Sequence, residues 1–203
     1  MTRLPFRTPD EVAAAVAPVA EVVASGGVVL VPTESFYGLA ADPRSRAARQ
    51  RVVALKGRPS ELGLPVLCAD WQQLESLVVV PERFRVKLSR VWPAALTTVL
   101  PAKLELAAAR GATLAVRIPD HRELRALLYL VGPLTGTSAN RHGASPCTTV
   151  DDALLSLAGT PELALDQGPT AGGMASTLVD LTGVEPQLLR AGPWLWDDPY
   201  PEC

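Results

Sequence analysis

The chain has few of the groups that carry metal, redox or nucleophilic chemistry. Its 203 residues include three cysteines and two histidines, His121 and His142. Cys68, Cys147 and Cys203 are odd in number and widely spaced, with no C-x-x-C pair and no Cys/His cluster. That pattern supports neither a zinc site nor a disulfide framework, and the expectation is no metal site. No G-x-x-x-x-G-K-[ST] segment is present, which excludes a P-loop, and no G-x-G-x-x-G follows a strand pattern. A G-x-S-x-G elbow is missing too, and two histidines leave little room for a Ser-His-Asp hydrolase. Residues 1–11 lack an apolar signal core, and no apolar run approaches a membrane span. The expected setting is a reducing cytoplasm, with no membrane partner.

Net charge is −2, so nothing global announces a polyanionic partner. The 48% hydrophobic content, with 15 Gly and 19 Pro, describes a globular chain with many punctuated connections. The length fits one domain, 1–203, with no internal repeat and no linker.

Helix and strand patterns alternate. Thr8-Pro9-Asp10-Glu11 is a capping box opening a helix that runs to Ser25, with a kink expected at Pro18. Residues 28–31 form a continuous β-branched and leucine run suited to a strand buried on both faces, followed by a polar loop over 32–39. Helices are expected over 44–55, 71–77, 81–91, from 120 or 121 to about 130, and from Thr149 to 157. Strands are expected over 64–69, 96–100, 113–118, 134–137, 177–181 and 187–189. The predicted class is α/β, a single domain with a twisted mixed sheet and flanking helices.

Polar islands fall mostly at strand ends, where open α/β sheets hold ligands. Lys56 and Arg58 stand two residues apart at a helix end and can face one polyanion, Lys as a compact charge and Arg as a planar fork. About eighty residues on, Ser138-Ala139-Asn140 offer small hydroxyl and amide groups. Thr33, Ser176, Thr177, Arg117 and Arg190 complete an inventory suited to a phosphate-bearing substrate and a small zwitterion, with no nucleophile. For Arg117, inside an apolar run, a buried ion pair with Asp42 or Glu34 is the alternative to a ligand role. Thr33 and Ser176 can equally be read as turn hydroxyls. Among the cations Arg44, Arg46, Arg49, Arg51, Lys56 and Arg58, a solvated helix face accounts for most of the arginines, while the polyanion-facing reading is best for Lys56 and Arg58. Cys147, His142 and the four tryptophans read as packing or rim residues.

Several segments, in order, resemble the motifs of the YrdC/Sua5 family, the threonylcarbamoyl-AMP synthases. Pro32-Thr33-Glu34-Ser35-Phe36-Tyr37-Gly38-Leu39 resembles P-T-E-T-x-Y-G-L, Lys56-Gly57-Arg58-Pro59 resembles K-x-R-P, and Val116-Arg117-Ile118-Pro119 resembles V-R-x-P. Ser138-Ala139-Asn140 matches S-x-N, Ser176-Thr177-Leu178-Val179-Asp180 matches S-T-[VI]-V-D, and Leu189-Arg190-Ala191-Gly192 matches L-R-x-G. Trp92-Pro93 with Leu96-Thr97 is similar to W-P-G-P-L-T. The chain departs from the family at Gly63 and Cys68, where many members carry asparagine and histidine, at Ala94-Ala95, and at His142-Gly143.

The resemblance implies a YrdC-like fold and conversion of L-threonine, bicarbonate or CO2, and ATP to L-threonylcarbamoyl-adenylate and pyrophosphate, feeding modification of adenosine 37 in tRNA. It implies catalytic roles for Lys56 and Arg58. ATP would be held by those two residues with Thr113, Ser138, Asn140, Pro146 and Arg190. Threonine would be held by Thr33, Arg117 and Ser176. It further implies Mg2+ carried in with ATP and no tightly bound cofactor, and a tRNA-threonylcarbamoyl transferase, tRNA or double-stranded RNA as partners. Two rival readings are a double-stranded-RNA-binding module and an enzyme forming a different carbamoyl-adenylate.

Overall fold

The computed structural model describes residues 1–58 and 63–196. Pro59 and Cys203, both named above, lie outside them. The described chain builds β1 (Thr2–Pro5), α1 (Pro9–Ala24), β2 (Val29–Pro32), β3 (Tyr37–Ala40), α2 (Arg46–Lys56), β4 (Val66–Leu67), α3 (Trp71–Leu77) and α4 (Glu82–Val91). It continues with β5 (Leu96–Pro101), β6 (Thr113–Arg117), α5 (Arg122–Val131), β7 (Leu134–Thr135), β8 (Thr137–Ser138), α6 (Val150–Ser156), β9 (Leu163–Asp166), β10 (Thr177–Asp180) and β11 (Gln187–Arg190).

The expected α/β class with mixed strands holds, but the strands divide between two sheets, not one. The orders are β1-β9-β2-β3-β8 and β11-β10-β5-β6-β4-β7. Each mixes parallel pairs, β1 with β9 and β5 with β10, and antiparallel ones, β2 with β3 and β5 with β6. A core cluster joins Leu30, Tyr37 and Leu39 of the first sheet to Leu96, Leu114, Val116 and Val179 of the second. A second cluster seats α1 and α5 against the other side of the first sheet through Val12, Ala15, Leu124 and Leu127.

Local chemistry explains the element ends. The Thr8–Glu11 capping box is complete, and α1 runs past Pro18 to Ala24. Gly57 closes α2 in the left-handed region at φ 57°, which favours glycine. Two expectations change at the start of the first sheet. The polar loop over 32–39 is instead a tight turn of a hairpin, with Pro32 opposite Tyr37 and Leu30 opposite Leu39. The Thr33 side chain drives that turn: its Oγ1 accepts from the amides of Ser35 and Phe36 at 3.3 and 3.2 Å and donates to the Phe36 carbonyl at 2.7 Å. The strands Thr2–Pro5 and Leu163–Asp166 are not expected from the sequence, because neither carries the β-branched run that marks 28–31.

The shortest of the three crossings between the two sheets is one residue long. β7 pairs with β4 in the second sheet and β8 with β3 in the first, and Gly136 alone stands between them. Its amide donates to the Pro65 carbonyl at 2.8 Å, and a Cβ there would lie 2.3 Å from Leu67 Cγ. The single strand expected over 134–137 is split for this reason.

Candidate active site

Between the two sheets lies a cavity of about 470 Å³, within the range of small-molecule sites. One wall is a face of the second sheet. Alternate residues point into it: Thr97 and Val99 on β5, Thr113, Ala115 and Arg117 on β6, Leu178 and Asp180 on β10. The strand register places Leu178 beside Thr97, and Asp180, Val99 and Ala115 in one row. The opposite wall comes from the hairpin turn and β8, through Thr33, Ser35, Tyr37, Thr137 and Ser138. The loop after β8 adds Asn140 and Pro146.

Eight of the ten candidate site residues line this one cavity: Thr33, Thr113, Arg117, Ser138 and Asn140, with Pro146, Ser176 and Arg190. Lys56 and Arg58 are not among the lining residues. Lys56, 4% exposed, sits behind the Ser138–Asn140 loop. Its ammonium donates to the Ser138 carbonyl, and to the Asn140 carbonyl at 2.9 Å. Burial, followed by the neighbouring Arg58, pushes Lys56 down to about 8, with Cys147 opposing. Arg58 donates to the Gly63 carbonyl at 2.8 Å, and burial together with Arg49 lowers its pKa.

Arg117 is buried on β6 and ion-paired to Glu34 of the hairpin turn, with Nε donating to the Ala94 carbonyl at 3.2 Å. Of the two partners weighed from sequence, Glu34 is the one present; Asp42 pairs with Arg44. Burial, and then Arg190, push Arg117 down to about 10 while Asp120 opposes, so it remains a cation at neutral pH. Arg190 reaches the Ser176 carbonyl through Nε at 3.0 Å and Nη2 at 2.8 Å, and the Ser176 hydroxyl at 3.0 Å. Ser176 Oγ also lies 2.9 Å from Thr97 Oγ1. Asn140 donates to the carbonyls of Arg141 and Ala144, which leaves its buried Oδ1 without a protein partner.

This arrangement gives Arg117, Arg190 and aligned hydroxyls at one end, a floor of Val99, Ala115 and Leu178 with Asp180 beside them, a further cation, Arg110, next to Thr113, and an amide acceptor on the loop after β8. Nothing in it forms a nucleophile–base pair. Cys68 is fully buried in the core, and burial with Asp70 pushes its thiol up to about 12, so it packs and does not react. Cys147 packs in the same core. Trp71 and Trp92 make an edge-to-face pair at 5.7 Å, and Trp194 and Trp196 another at 5.5 Å. In the arginine-rich stretch, Arg44 and Arg51 are tied to Asp42 and Glu162.

Sequence reasoning missed Thr97, Thr137 and Asp180 as cavity residues. Thr97 and Asp180 stood inside quoted motifs, and their period-2 relation to Val99 and Leu178 was the available signal. Asp180 is the one carboxylate among the lining residues, and the described residues contain no cluster of three or more His, Cys, Asp or Glu able to hold a metal. A Mg2+ ion bound chiefly through substrate phosphates fits such a site; a protein-built cage does not.

A two-walled cavity with cations and hydroxyls at one end defines an α/β protein that binds a polar, anionic ligand between sheets. The chain belongs to the Sua5/YciO/YrdC family, whose model, described as "Telomere recombination", matches residues 21–192. It is 36% identical over 190 residues to a putative threonylcarbamoyl-AMP synthase of Mycobacterium leprae, covering 91% of this chain and 86% of that protein. It is also 36% identical over 183 residues to the threonylcarbamoyl-AMP synthase of Bacillus subtilis, covering 87% of this chain and 53% of that one. Among solved structures, Pyrococcus abyssi Sua5 complexed with L-threonine superposes with a TM-score of 0.83 at 33% identity, covering 94% of this chain and 57% of that one. The chain thus spans little more than half the length of the latter two relatives. No helix among the described residues is long and apolar enough to cross a membrane.

Proposed function

We infer that the chain is a threonylcarbamoyl-AMP synthase, converting L-threonine, bicarbonate or CO2, and ATP to L-threonylcarbamoyl-adenylate and pyrophosphate for the threonylcarbamoyl modification of tRNA. The observation that carries this is the convergence of Arg117, Ser176 and Arg190 opposite Thr33 in one cavity that continues to Thr113, Asn140 and Pro146. The kinship to a Sua5 protein that binds L-threonine supports the same reading.

The chemistry needs no covalent enzyme intermediate. Threonine's amine captures CO2 as a carbamate, and a carbamate oxygen attacks the α-phosphate of ATP, expelling pyrophosphate. The protein must hold both reactants, exclude water from a labile carbamate and offset phosphate charge. Arg117, with Thr33 and Ser176, takes the threonine. Its salt bridge to Glu34 sets the guanidinium in the wall, and the substrate carboxylate approaches the same cation. Ser138, Asn140, Thr113 and Pro146 take the nucleotide, with the unpartnered Asn140 Oδ1 free to accept from it. Arg190 and Arg58 supply positive charge to the phosphates. Lys56 does so from behind the Ser138–Asn140 loop, which it also fixes. Mg2+ carried with ATP, held chiefly by the phosphates themselves, would offset part of their charge. Free Cys68 and Cys147 support a reducing, cytoplasmic setting.

The test is pyrophosphate release by purified protein given ATP, bicarbonate and L-threonine, with no RNA added. Release that depends on threonine and on bicarbonate is expected. Release indifferent to threonine, or an absolute requirement for RNA, would remove this reading.

A further inference from the structure

Ser176 Oγ has two neighbours that compete for the same few hydrogen-bonding positions. Arg190 Nη2 lies 3.0 Å away and can only donate, so it occupies one oxygen lone pair. Thr97 Oγ1 lies 2.9 Å away, and either hydroxyl of that pair can be the donor. The choice decides what Ser176 shows the cavity. If Ser176 donated to Thr97, its remaining lone pair would face the ligand as an acceptor. If Thr97 donates, both Ser176 lone pairs are filled and its proton is left for the ligand.

The surroundings of Thr97 select the second arrangement. Thr97 is 3% exposed, and its hydroxyl has no other hydrogen-bond partner among the described residues. A buried hydroxyl proton without an acceptor is costly, and Ser176 Oγ is the acceptor that Thr97 Oγ1 reaches among the described residues. Thr97 and Ser176 both line the cavity, but Ser176, 7% exposed against 3% for Thr97, is the more open of the two, so its proton is the better placed to reach a ligand. Arg190 and Arg117 make that end of the cavity positive, so the group drawn there is an anion, which accepts and does not donate.

We propose that Thr97 is a positioning residue, donating its hydroxyl proton to Ser176 so that Ser176 donates its own to an anionic oxygen of the substrate. The inference rests on the threonylcarbamoyl-AMP synthase reading of this cavity. The anionic oxygen belongs either to the threonine carboxylate or to the carbamate formed from it, and bicarbonate distinguishes them.

The experiment measures threonine affinity by calorimetry without bicarbonate or ATP, and the KM values for threonine, bicarbonate and ATP from pyrophosphate release. Thr97→Val keeps the side-chain shape and removes the donor. A carboxylate contact predicts at least about a fivefold weaker threonine affinity in that variant. A carbamate contact predicts the same rise in bicarbonate KM alone. In both cases ATP KM stays within about twofold of wild type, and Thr97→Ser restores the loss. In a Ser176→Ala background, Thr97→Val should add nothing further, because its effect runs through the missing hydroxyl. Thr97→Ala completes the same cycle if the valine variant does not fold. An unchanged valine variant, an equal rise in ATP KM, failure of serine to rescue, or additive losses in the double variant would each overturn the proposal. Wild-type protein that binds threonine but releases no pyrophosphate would remove the functional reading while leaving the proposal standing or falling on threonine affinity. Wild-type protein with no threonine affinity would overturn both.

Discussion

Arg117 illustrates how one side chain can serve the fold and the site together. Removing it leaves Glu34, partly buried on the hairpin turn, without its cation. Breaking such a pair from one side typically costs about 3–5 kcal/mol, whereas replacing both partners with neutral groups costs much less. Arg117→Ala should therefore lower the melting temperature sharply and raise the threonine requirement. The double variant Arg117→Met, Glu34→Gln should recover stability without recovering threonine affinity. Thermal melts with and without threonine check this, and recovery of both properties in the double variant would limit Arg117 to a structural role. Lys56 gives a pH-dependent counterpart. Its folded pKa, about 8, lies below the ordinary 10.5, so between those values the native state holds fewer protons than the unfolded chain. Stability from this group accordingly rises with pH across that window, while the positive charge itself is lost as pH passes about 8. ATP KM should climb above about pH 8 in the wild type, and Lys56→Met should show a higher but flatter profile. A wild-type profile without that inflection would separate the Lys56 charge from ATP binding.

At the scale of elements, the segment after β11 keeps Arg190 in place. Thr177 Oγ1 donates to the Trp194 carbonyl at 2.6 Å and accepts from the Trp194 amide at 3.0 Å, returning the chain against β10. Gly192 allows that close approach: a Cβ there would stand 2.3 Å from the Thr177 nitrogen and 2.5 Å from the Ala175 oxygen. Gly192→Ala must displace backbone next to Ser176. It should cost about 1–3 kcal/mol and weaken turnover with it. Gly183→Ala, whose Cβ would meet ordinary contact at 3.6 Å, should stay within about 0.5 kcal/mol of wild type in the same melts. This region also shows where sequence reading succeeds and stops. The capping box at Thr8, the β-branched run at 28–31 and the helix opened by Thr149 announce themselves through local chemistry, and all three elements are present. The hairpin at Thr33 was hidden because a side-chain hydroxyl, not glycine or Asn-Gly, makes its turn. The polar islands named the wall residues. They did not reveal that Lys56 faces carbonyls behind the wall, because residue type carries no direction.

For the whole molecule, the question is whether two sheets make one folding unit. Core residues Leu30, Tyr37 and Leu39 share a cluster with Leu96, Leu100 and Val116, so neither sheet can open without exposing the other's packing. All four tryptophans pack into or against this shared cluster, Trp71 beside Trp92 and Trp194 beside Trp196. Chemical denaturation should then give coincident transitions by tryptophan fluorescence and by far-ultraviolet circular dichroism. Separated midpoints would show two units. The crossing at Gly136 carries a further consequence, for substrate scope. A cavity between two bodies joined by a long connection can be widened by adding residues to it. Here three connections cross between the sheets, and the shortest, at Gly136, is a single residue, spanning about 3.3–3.6 Å at full stretch, bonded through its amide to Pro65 and closed to any side chain by Leu67. The spacing of the walls is pinned at that crossing, and a descendant of this chain that accepts a different amino acid would do so there by resculpting what lines the walls.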